Sequence, residues 1–375
     1  MSSEPSLIEQ IVDFLASVKL ALTILIVLAV TAVAGTIIPQ NLAPADYIMA
    51  YGPRLYTFLG YLDLFDMYRS WWFTLFLGLL AVNLIVCSVK RLPRTARLAR
   101  PIQADRLTLD FLKKQPFSRD LLLSGPPREH LPRLKAAFHS CFGPPRAAAP
   151  SWGTLLWSDR GAFSRYGVYL IHLSILVILA GAAMGGYRGF SGYLELTEGQ
   201  TKDAIQGQRP PGKIPLSFAV RLDKFAVSFY PSGAPSEFRS DVTIIENGRA
   251  VHEASILVNH PLTWRGVTFY QSSYGRASSG PRDGGSTGPR FYTGLQANHD
   301  PGVWLIWLGC GMMFLGFLVT FFFAHRKAYL GLAARGDQTL VLLAGSSHRH
   351  QGSFKIKFER LAAQAGREPE AGENQ

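Results

Sequence analysis

The chain has 375 residues, of which 48% are hydrophobic and only 17% are charged, and its formal net charge is +12. Soluble globular domains carry about 25% charged residues, so this composition argues against an entirely soluble protein. The apolar residues are concentrated in four uncharged segments, which lie between Lys19 and Asp46, Arg69 and Lys90, Arg165 and Arg188, and Asp300 and Arg326. Each segment is long enough for a helix of about 20 residues to cross the hydrocarbon core of a bilayer.

The four segments predict transmembrane helices at 18–38, 71–89, 166–186 and 301–325. The first is longer than the apolar region of a signal peptide and ends without a small-residue cleavage site, so we interpret it as a retained anchor. The preceding residues, 1–17, have apolar side chains at helical spacing. They either lie in the membrane interface on the cytoplasmic side or extend the first span.

The distribution of charge predicts the orientation of the chain. Residues 90–165 carry 15 Lys or Arg against 5 Asp or Glu, and Arg326 and Lys327 directly follow the fourth segment. Because positive residues are retained on the cytoplasmic side, we expect both termini and residues 90–165 to be cytoplasmic. The loop 39–70 and the domain 187–300 are then extracytoplasmic. The positive charge of the basic segment is explained by its role in setting the topology and by contact with anionic lipid. A nucleic-acid site is not expected, because no recognition motif accompanies the segment.

The domain between the third and fourth spans has β-strand character. Strands are expected at 217–225, 226–230, 241–245 and 268–270. Asn247-Gly248 is typical of a hairpin turn. These features predict a small antiparallel sheet or sandwich. Residues 276–290 are rich in Gly, Ser and Pro and are expected to form a mobile loop.

The predicted cytoplasmic segments contain further short elements. We expect a strand at 117–123, a helix at 128–142, and strands at 153–157, 339–343 and 354–358. Because neither half has enough strands to be stable alone, we expect these pieces to form one small composite α/β module. A β-hairpin in the tail, residues 326–361, closes it, and residues 362–375 are expected to be disordered.

The cysteines exclude two classes of function. Cys87, Cys141 and Cys310 form no Cys-x-x-Cys pair and no Cys-x-x-Cys-His motif. The chain is therefore not expected to exchange disulfides or to be a c-type cytochrome. A phosphate-binding glycine loop, a nucleophile elbow and a zinc motif are also absent from the sequence, so it contains no self-contained enzyme site that we recognise.

His172 is the main candidate functional residue. It lies about seven residues past Arg165 in the third span, roughly 10 Å into the membrane, where an ionisable side chain is costly and marks a candidate site. Ligation of a metal or haem through a neutral nitrogen and proton relay are two interpretations. A structural hydrogen bond to a hydroxyl, such as that of Ser174 or Thr74, is the third.

Other conspicuous side chains favour structural roles. Glycines at three positions in the third span allow either close packing of helices or the flat approach of a large ring, and these are Gly181, Gly185 and Gly186. Aromatic belts at the outer interface, or a cofactor platform, explain Trp71, Trp72, Trp304 and Trp307. Surface, turn or interfacial positions are expected for His252, His260, His299 and His325, which lack ligand spacing.

Several short segments carry a resemblance to a known family. In chain order they are 17–21, 35–36 with 39–40, 83–88, 167–173, 258–262 with 270–274, 300–302, Trp307 with Gly309 in the span that follows, and the pair His325-Arg326. With four spans and a domain between the third and the fourth, their order resembles the ResB family of system II cytochrome c biogenesis. The fold class expected is therefore a four-helix transmembrane bundle with an extracytoplasmic β-rich domain and a small cytoplasmic α/β module.

The resemblance implies a role in the bacterial cytoplasmic membrane. The chain is expected to be a non-autonomous subunit of a holocytochrome c synthase. Such a complex carries haem b across the membrane and attaches it to the Cys-x-x-Cys-His thiols of an apocytochrome c. The implied partner is a CcsA-type, tryptophan-rich, haem-handling membrane protein, which shares the haem transiently and supplies its other ligand.

The resemblance also implies site residues. His172 corresponds to the family's third-span histidine and is expected to ligate the haem iron. Independently of the resemblance, the basic cytoplasmic edge suggests a hypothesis, in which Arg165, with Arg160, meets the haem propionates at the mouth of that span. Asp300 corresponds to an acidic residue before the last span, and capping of the following helix explains it equally well.

Rival interpretations follow from the same residues. A membrane scaffold that stabilises a haem-handling partner without binding haem is the principal alternative. A transporter of another substrate and a redox enzyme are less favoured, because there is no inverted repeat and no cysteine pair. In the outer domain, Tyr270, Gln271 and Tyr274 either form a surface for a partner or pack within the sheet.

Overall fold

The computed structural model describes residues 6–101, 103, 107–232, 235–276 and 291–367. Its helices are α1 (Leu7–Leu15), α2 (Val18–Ile37), α3 (Pro44–Tyr61), α4 (Trp71–Ala99), α5 (Leu109–Lys113), α6 (Pro127–Phe142), α7 (Gly167–Arg188), α8 (Val303–Phe322) and α9 (Gln351–Gly366). Its strands are β1 (Phe117–Ser124), β2 (Arg146–Ala148), β3 (Thr154–Arg160), β4 (Phe190–Thr197), β5 (Thr201–Arg209), β6 (Pro211–Phe229), β7 (Pro235–Glu246), β8 (Arg249–Leu257), β9 (Leu262–Trp264), β10 (Val267–Arg276), β11 (Phe291–His299), β12 (Arg326–Arg335) and β13 (Gln338–Ser347).

The chain divides into two compact units. The first unit contains Met1–Ile175 and Gly311–Gln375, and the second contains Leu176–Cys310. Among the described residues, four helices are long and apolar enough to cross a membrane, namely α2, α4, α8, and α7 with the 3₁₀ turn that precedes it. Few of their residues are buried inside the protein, as expected of helices whose backbone polar groups are satisfied internally while their sides face lipid.

The helix α4 is longer than the span predicted for it. It continues to Ala99, ten residues beyond the predicted end at 89. The added turns consist largely of Arg, Leu, Lys and Ala, which favour helix. The basic segment therefore begins as a continuation of the second span.

At the N-terminus, α1 is a helix of its own and not an extension of the first span. The chain breaks between α1 and α2, where backbone carbonyls lose their helical partners. Asn83 Nδ2 of α4 donates to the carbonyl oxygens of Leu15 at 2.6 Å and Ser17 at 3.1 Å. Cys87 Sγ donates to that of Ala16 at 3.0 Å. These hydrogen bonds hold the backbone between α1 and α2 against α4.

The segment 39–70, which the sequence prediction left as a loop, contains α3 and a 3₁₀ turn at Leu64–Arg69. Tyr47 is buried, and its ring lies 4.0 Å from that of Phe65. Its hydroxyl donates to the carbonyl of Pro39 at 2.7 Å. The kink at Gly52, whose φ is 75°, interrupts α3 and weakens the helical pattern in the sequence.

A five-stranded sheet joins the segment after the second span to the tail. Its order is β1-β13-β12-β3-β2, and every pairing is antiparallel. The two tail strands therefore lie between strands from the 117–160 segment. This is the composite sheet that the sequence indicates, because neither half supplies a complete sheet.

The end of the tail differs from the sequence prediction. Residues 354–358 were expected to form a strand, but they lie in α9, so the hairpin is β12–β13. In the sequence Phe-Lys-Ile-Lys-Phe, apolar and charged residues alternate as they do in a strand. The buried side chains nevertheless recur at helical spacing, at Phe354, Phe358, Leu361, Ala362 and Ala365. The disorder expected from 362 is also wrong up to Gly366, and residues 368–375 lie outside the described part of the chain.

The second unit contains an eight-stranded antiparallel sheet of order β8-β7-β6-β5-β4-β11-β10-β9. Trp264 at the β9 edge stacks on His252 of β8 with ring centroids 5.2 Å apart, and its Nε1 donates to Glu246 of β7 at 2.9 Å. The two edges therefore approach each other and the sheet is nearly closed into a barrel. Asn247 and Gly248 form the predicted hairpin turn, with φ of 50° and 77°.

The sequence identified only part of this sheet. The two strands expected at 217–225 and 226–230 are one strand, β6, with register shifts along it. The strands β4, β5, β8, β9 and β11 were not predicted individually, although the predicted hairpin turn implies a strand in the position of β8. The expected mobile loop at 276–290 lies, from residue 277, outside the residues that the structure describes.

Candidate functional site

A groove of about 850 Å³ in the first unit contains the main candidate residue, His172. Its apolar and weakly polar lining comes from Val18, Ala21, Asn83, Leu84, Cys87, Ser88, Thr95, Leu98, Val168 and Tyr169. Its basic lining comes from Arg91, Arg94, Arg165, His348 and Arg349, in addition to His172. The volume lies in the range of small-molecule and cofactor sites.

His172 is held by the neighbouring span. Its Nδ1 lies 2.9 Å from the hydroxyl oxygen of Ser88 on α4. The hydroxyls considered from the sequence are not its partners, since Ser174 donates instead to the carbonyl of Ile171 in its own helix at 2.7 Å. A hydrogen bond at one imidazole nitrogen fixes the ring and determines the role of the other nitrogen. In the tautomer whose Nδ1–H donates to Ser88, Nε2 carries the lone pair that ligation requires.

The polar wall of the groove is cationic. Arg91 and Arg94 lie three residues apart on α4 and so share a face of that helix. Arg349 reaches the groove from the tail, and its guanidinium donates to the carbonyl of Thr320 at 2.7 Å. Asp and Glu are absent from the lining that the described residues provide. The wall therefore favours an anionic ligand.

Arg165 is fixed by a buried chain of hydrogen bonds. Its Nε donates to Nδ1 of His325 at 2.6 Å, and His325 Nε2 lies 2.6 Å from a carboxylate oxygen of Asp159. Because an arginine only donates, Nδ1 of His325 accepts and its Nε2–H donates to Asp159. The side chain of His325 is fully buried, so it is an internal positioning residue rather than a surface one.

Burial changes the acid–base properties of residues beside this chain. Burial lowers the pKa of Lys327, although Asp159, whose carboxylate is 3.9 Å away, opposes the change. Burial, together with Arg165, Arg349 and His325, lowers the pKa of His348. Burial raises the pKa of the Tyr329 hydroxyl. Burial therefore disfavours the charged forms of all three side chains.

Asp300 does not line the groove. It lies just before α8, where its Oδ1 accepts a hydrogen bond from the backbone N–H of Gly302 at 2.8 Å. Its carboxylate also packs against Gly185, and the carbonyl oxygen of Gly302 would lie 2.9 Å from a Cβ added at Gly181. A turn at the start of α8 accounts for Asp300, and close helix packing accounts for Gly181 and Gly185.

Outer-domain residues singled out in the sequence have structural partners. Gln271 Oε1 accepts from Ser240 at 2.7 Å, and its amide donates to Thr293 at 2.9 Å, inside the sheet. The Tyr274 ring packs on that of Phe238 at 4.7 Å. His299 Nδ1 lies 2.8 Å from the carbonyl of Gly266. Within the described ranges, no group of three or more His, Cys, Asp or Glu side chains is arranged to hold a metal ion.

Sequence reasoning found His172 and Arg165 and missed the residues that hold them. Ser88 lies within one of the segments that carry the family resemblance, which was a usable signal. The hydrogen bond between Asp159 and His325 joins residues that are 166 positions apart in the sequence. A local sequence pattern does not indicate such a contact. Arg349 reaches the groove because β13 ends beside it, so its role depends on the tail fold.

A family model described as "ResB-like family" matches residues 18–283 and 282–359 of the chain. A cytochrome c biogenesis protein CcsB from Synechococcus sp. (strain JA-3-3Ab) is 25% identical, over 95% of this chain and 90% of the relative. Proteins of the same name from Gloeobacter violaceus and Trichormus variabilis are 28% and 29% identical, over 71% and 78% of this chain. The alignments cover 56% and 65% of those two relatives, so the chain spans less than two thirds of their length.

Among solved structures, "Cytochrome c Heme Lyase CcmF" matches with a TM-score of 0.32 and 11% identity. The match covers 74% of this chain and 44% of that one. A TM-score of 0.32 is too low for this likeness to indicate a shared fold or function.

Proposed function

The chain belongs to the ResB-like family, and from that premise we propose that it is a haem-holding subunit of a system II cytochrome c maturation complex. Its relatives are named cytochrome c biogenesis proteins. In this proposal, haem b is cargo that passes from the cytoplasmic side of the bacterial membrane to the outer face. A CcsA-type partner shares the haem, and the complex joins it to the thiols of an apocytochrome c.

The groove around His172 is the observation that carries the proposal. Haem b combines a flat apolar ring, an iron atom that imidazole ligates and two carboxylates. The lining offers apolar side chains from three spans, α2, α4 and α7, an imidazole oriented by Ser88, and four arginines. Arg165, held by His325, is suited to a propionate because charge-assisted hydrogen bonds from a guanidinium to a carboxylate are strong and directional. Arg160 does not line this groove, so we assign the propionate contact to Arg165.

The proposed orientation follows from the charges. The basic turns of α4, the composite sheet and both termini are cytoplasmic, and the β-rich domain is extracytoplasmic. His172 and the arginines then lie at the cytoplasmic ends of α4 and α7, where haem enters. The chain itself presents no thiol chemistry for attachment, which we assign to the complex with its partner.

The rival function is that of a scaffold that stabilises the partner without touching haem. The two functions are distinguished by measuring covalent haem attachment to c-type cytochromes. The measurement uses cells that lack the native protein and express a variant of it. For His172→Ala we expect loss of most attached haem at unchanged abundance of the protein in membranes, because only the imidazole is removed. Ser174→Ala, a change of a buried residue one half-turn away, is the matched control and is expected to retain attachment.

Normal haem attachment with His172→Ala contradicts the proposal and supports the scaffold. A loss of attachment that is equal in the Ser174→Ala control also contradicts it, because the effect then reflects damage to the helix.

A further inference from the structure

A second cavity of about 590 Å³ lies in the first unit and shares no lining residue with the groove around His172. It lies where α6 and α8 end, beside β3 and α9. Its basic lining comes from His139, Arg160, Arg326 and Lys357. Its described lining includes no Asp or Glu. A concave site with three permanent cations and no acid on its wall favours an anion.

The cations retain unused hydrogen-bonding capacity. The guanidinium of Arg160 lies against Gly143, where an added Cβ would be 2.6 Å from its Nη1. Because position 143 carries no side chain, the guanidinium can lie directly against the backbone at this wall of the cavity. The Nε of Arg326 is buried and has no hydrogen-bond partner among the described residues, although its Nη2 approaches Ser353 at 3.4 Å. An unpaired buried donor costs free energy unless a ligand satisfies it.

The rim of the cavity is apolar and aromatic. Phe163, Phe322 and Phe323 line it, and their side chains are 52%, 74% and 47% exposed. The rings of Phe163 and Phe323 are 5.1 Å apart. Phe163 lies at the start of one apolar span and Phe322 ends another. The cations are therefore placed at the level where two spans end, which is the level of lipid headgroups.

We propose that this cavity binds the phosphate headgroup of an anionic phospholipid. Arg160, Arg326 and Lys357 contact the phosphate, and the acyl chains lie along the exposed phenylalanine rings. A phosphate group offers the acceptors that these donors lack, and basic pockets beside spans are suited to anionic headgroups. The aromatic rim distinguishes a lipid from free phosphate, because free phosphate gains nothing from exposed apolar rings at the membrane surface.

The test uses the full-length protein purified in a neutral detergent and titrated with phosphatidylglycerol, with bound lipid counted by native mass spectrometry. Lys357→Gln and Arg160→Gln each remove one cation, and each is expected to weaken binding about fivefold. Lys355→Gln is the matched control, because it removes the same charge from an exposed position two residues away on the same helix, and Lys355 does not line the cavity. Lys357→Arg keeps the charge and is expected to retain binding.

Three further measurements decide the outcome. Phosphatidylcholine is expected to bind more weakly than phosphatidylglycerol, and inorganic phosphate is expected not to displace the bound lipid. Melting temperatures of the variants show whether a loss of binding reflects unfolding. Equal weakening by Lys355→Gln, or no weakening by either cavity variant, overturns the proposal. Displacement of the lipid by inorganic phosphate overturns the assignment to a lipid and points to a free phosphate site.

Discussion

At the scale of single residues, the groove depends on side chains that hold other side chains. Ser88 orients the imidazole of His172, and His325 orients the guanidinium of Arg165. The sequence could indicate His172, because an ionisable residue in an apolar run is unusual. It could not indicate Asp159 or His325 as the supports of Arg165, because these contacts exist only once the tail strands are paired with β3.

Removal of the Ser88 hydroxyl tests the orientation of His172. We expect Ser88→Ala to weaken haem retention by about 10- to 100-fold, the usual cost of losing a hydrogen bond to a metal-binding histidine. The measurement is a haem titration followed by the Soret absorbance of the purified complex. Ser174→Ala is the control, since that hydroxyl bonds only within its own helix. Retention equal to wild type in Ser88→Ala would show that the hydrogen bond does not orient a ligand.

The lowered pKa of His348 predicts a pH dependence of stability. His348 stays neutral in the folded protein at a pH where it is already protonated in the unfolded chain, so the unfolded chain binds more protons. The free energy of unfolding is then highest above the unfolded pKa of about 6.5 and decreases as the pH falls below it. We expect the melting temperature to fall between about pH 7.5 and pH 5.5, and to fall less in His348→Gln. Identical pH profiles for the two proteins would contradict this expectation.

At the scale of elements, a feature was predictable where it depends on local residues and was not predictable where it depends on contacts with other elements. The strand predicted at 354–358 became part of α9, because burial against β1, β13 and α6 selects the helical spacing of its apolar residues. The hairpin turn at Asn247-Gly248 was predictable, since its backbone conformation depends on those two residues alone. The break between α1 and α2 was not, because its supports come from α4.

Asn83 tests how that break is held. Its buried amide satisfies two backbone carbonyls, and an unsatisfied buried acceptor costs about 1–3 kcal/mol. We expect Asn83→Leu to lower the melting temperature of the purified protein by several degrees. Val82→Leu, at the neighbouring and more exposed position, is the control and is expected to have little effect. A melting temperature unchanged by Asn83→Leu would mean that α1 does not depend on this contact.

At the scale of the whole molecule, the four described helices that are long and apolar enough to cross a membrane were predictable from composition, and so was the presence of a β-rich segment between the third and the fourth. The composite sheet was predictable as well, because two incomplete sets of strands need each other. The near-closure of the eight-stranded sheet was not, since it depends on contacts between edges such as Trp264 with His252. The groove belongs to this scale too, because it needs α4, α7 and the tail together.

Reporter fusions test the proposed orientation. We expect green fluorescent protein fused after the last residue to fluoresce, because the C-terminus is proposed to be cytoplasmic. Alkaline phosphatase inserted between Asn247 and Gly248 is expected to be active, and the same enzyme fused after Arg100 inactive. Active phosphatase at Arg100 would reverse the assignment of sides.

The central claim is that His172 ligates haem within this groove. The most direct measurement is the visible absorption spectrum of the complex purified with its CcsA-type partner, with wild type, His172→Ala and Ser174→Ala compared at equal protein concentration. The account predicts a Soret band in wild type and in Ser174→Ala, and loss of most of that band in His172→Ala. Equal haem content in all three proteins would contradict it, and the chain would then be a scaffold for a site built within the partner.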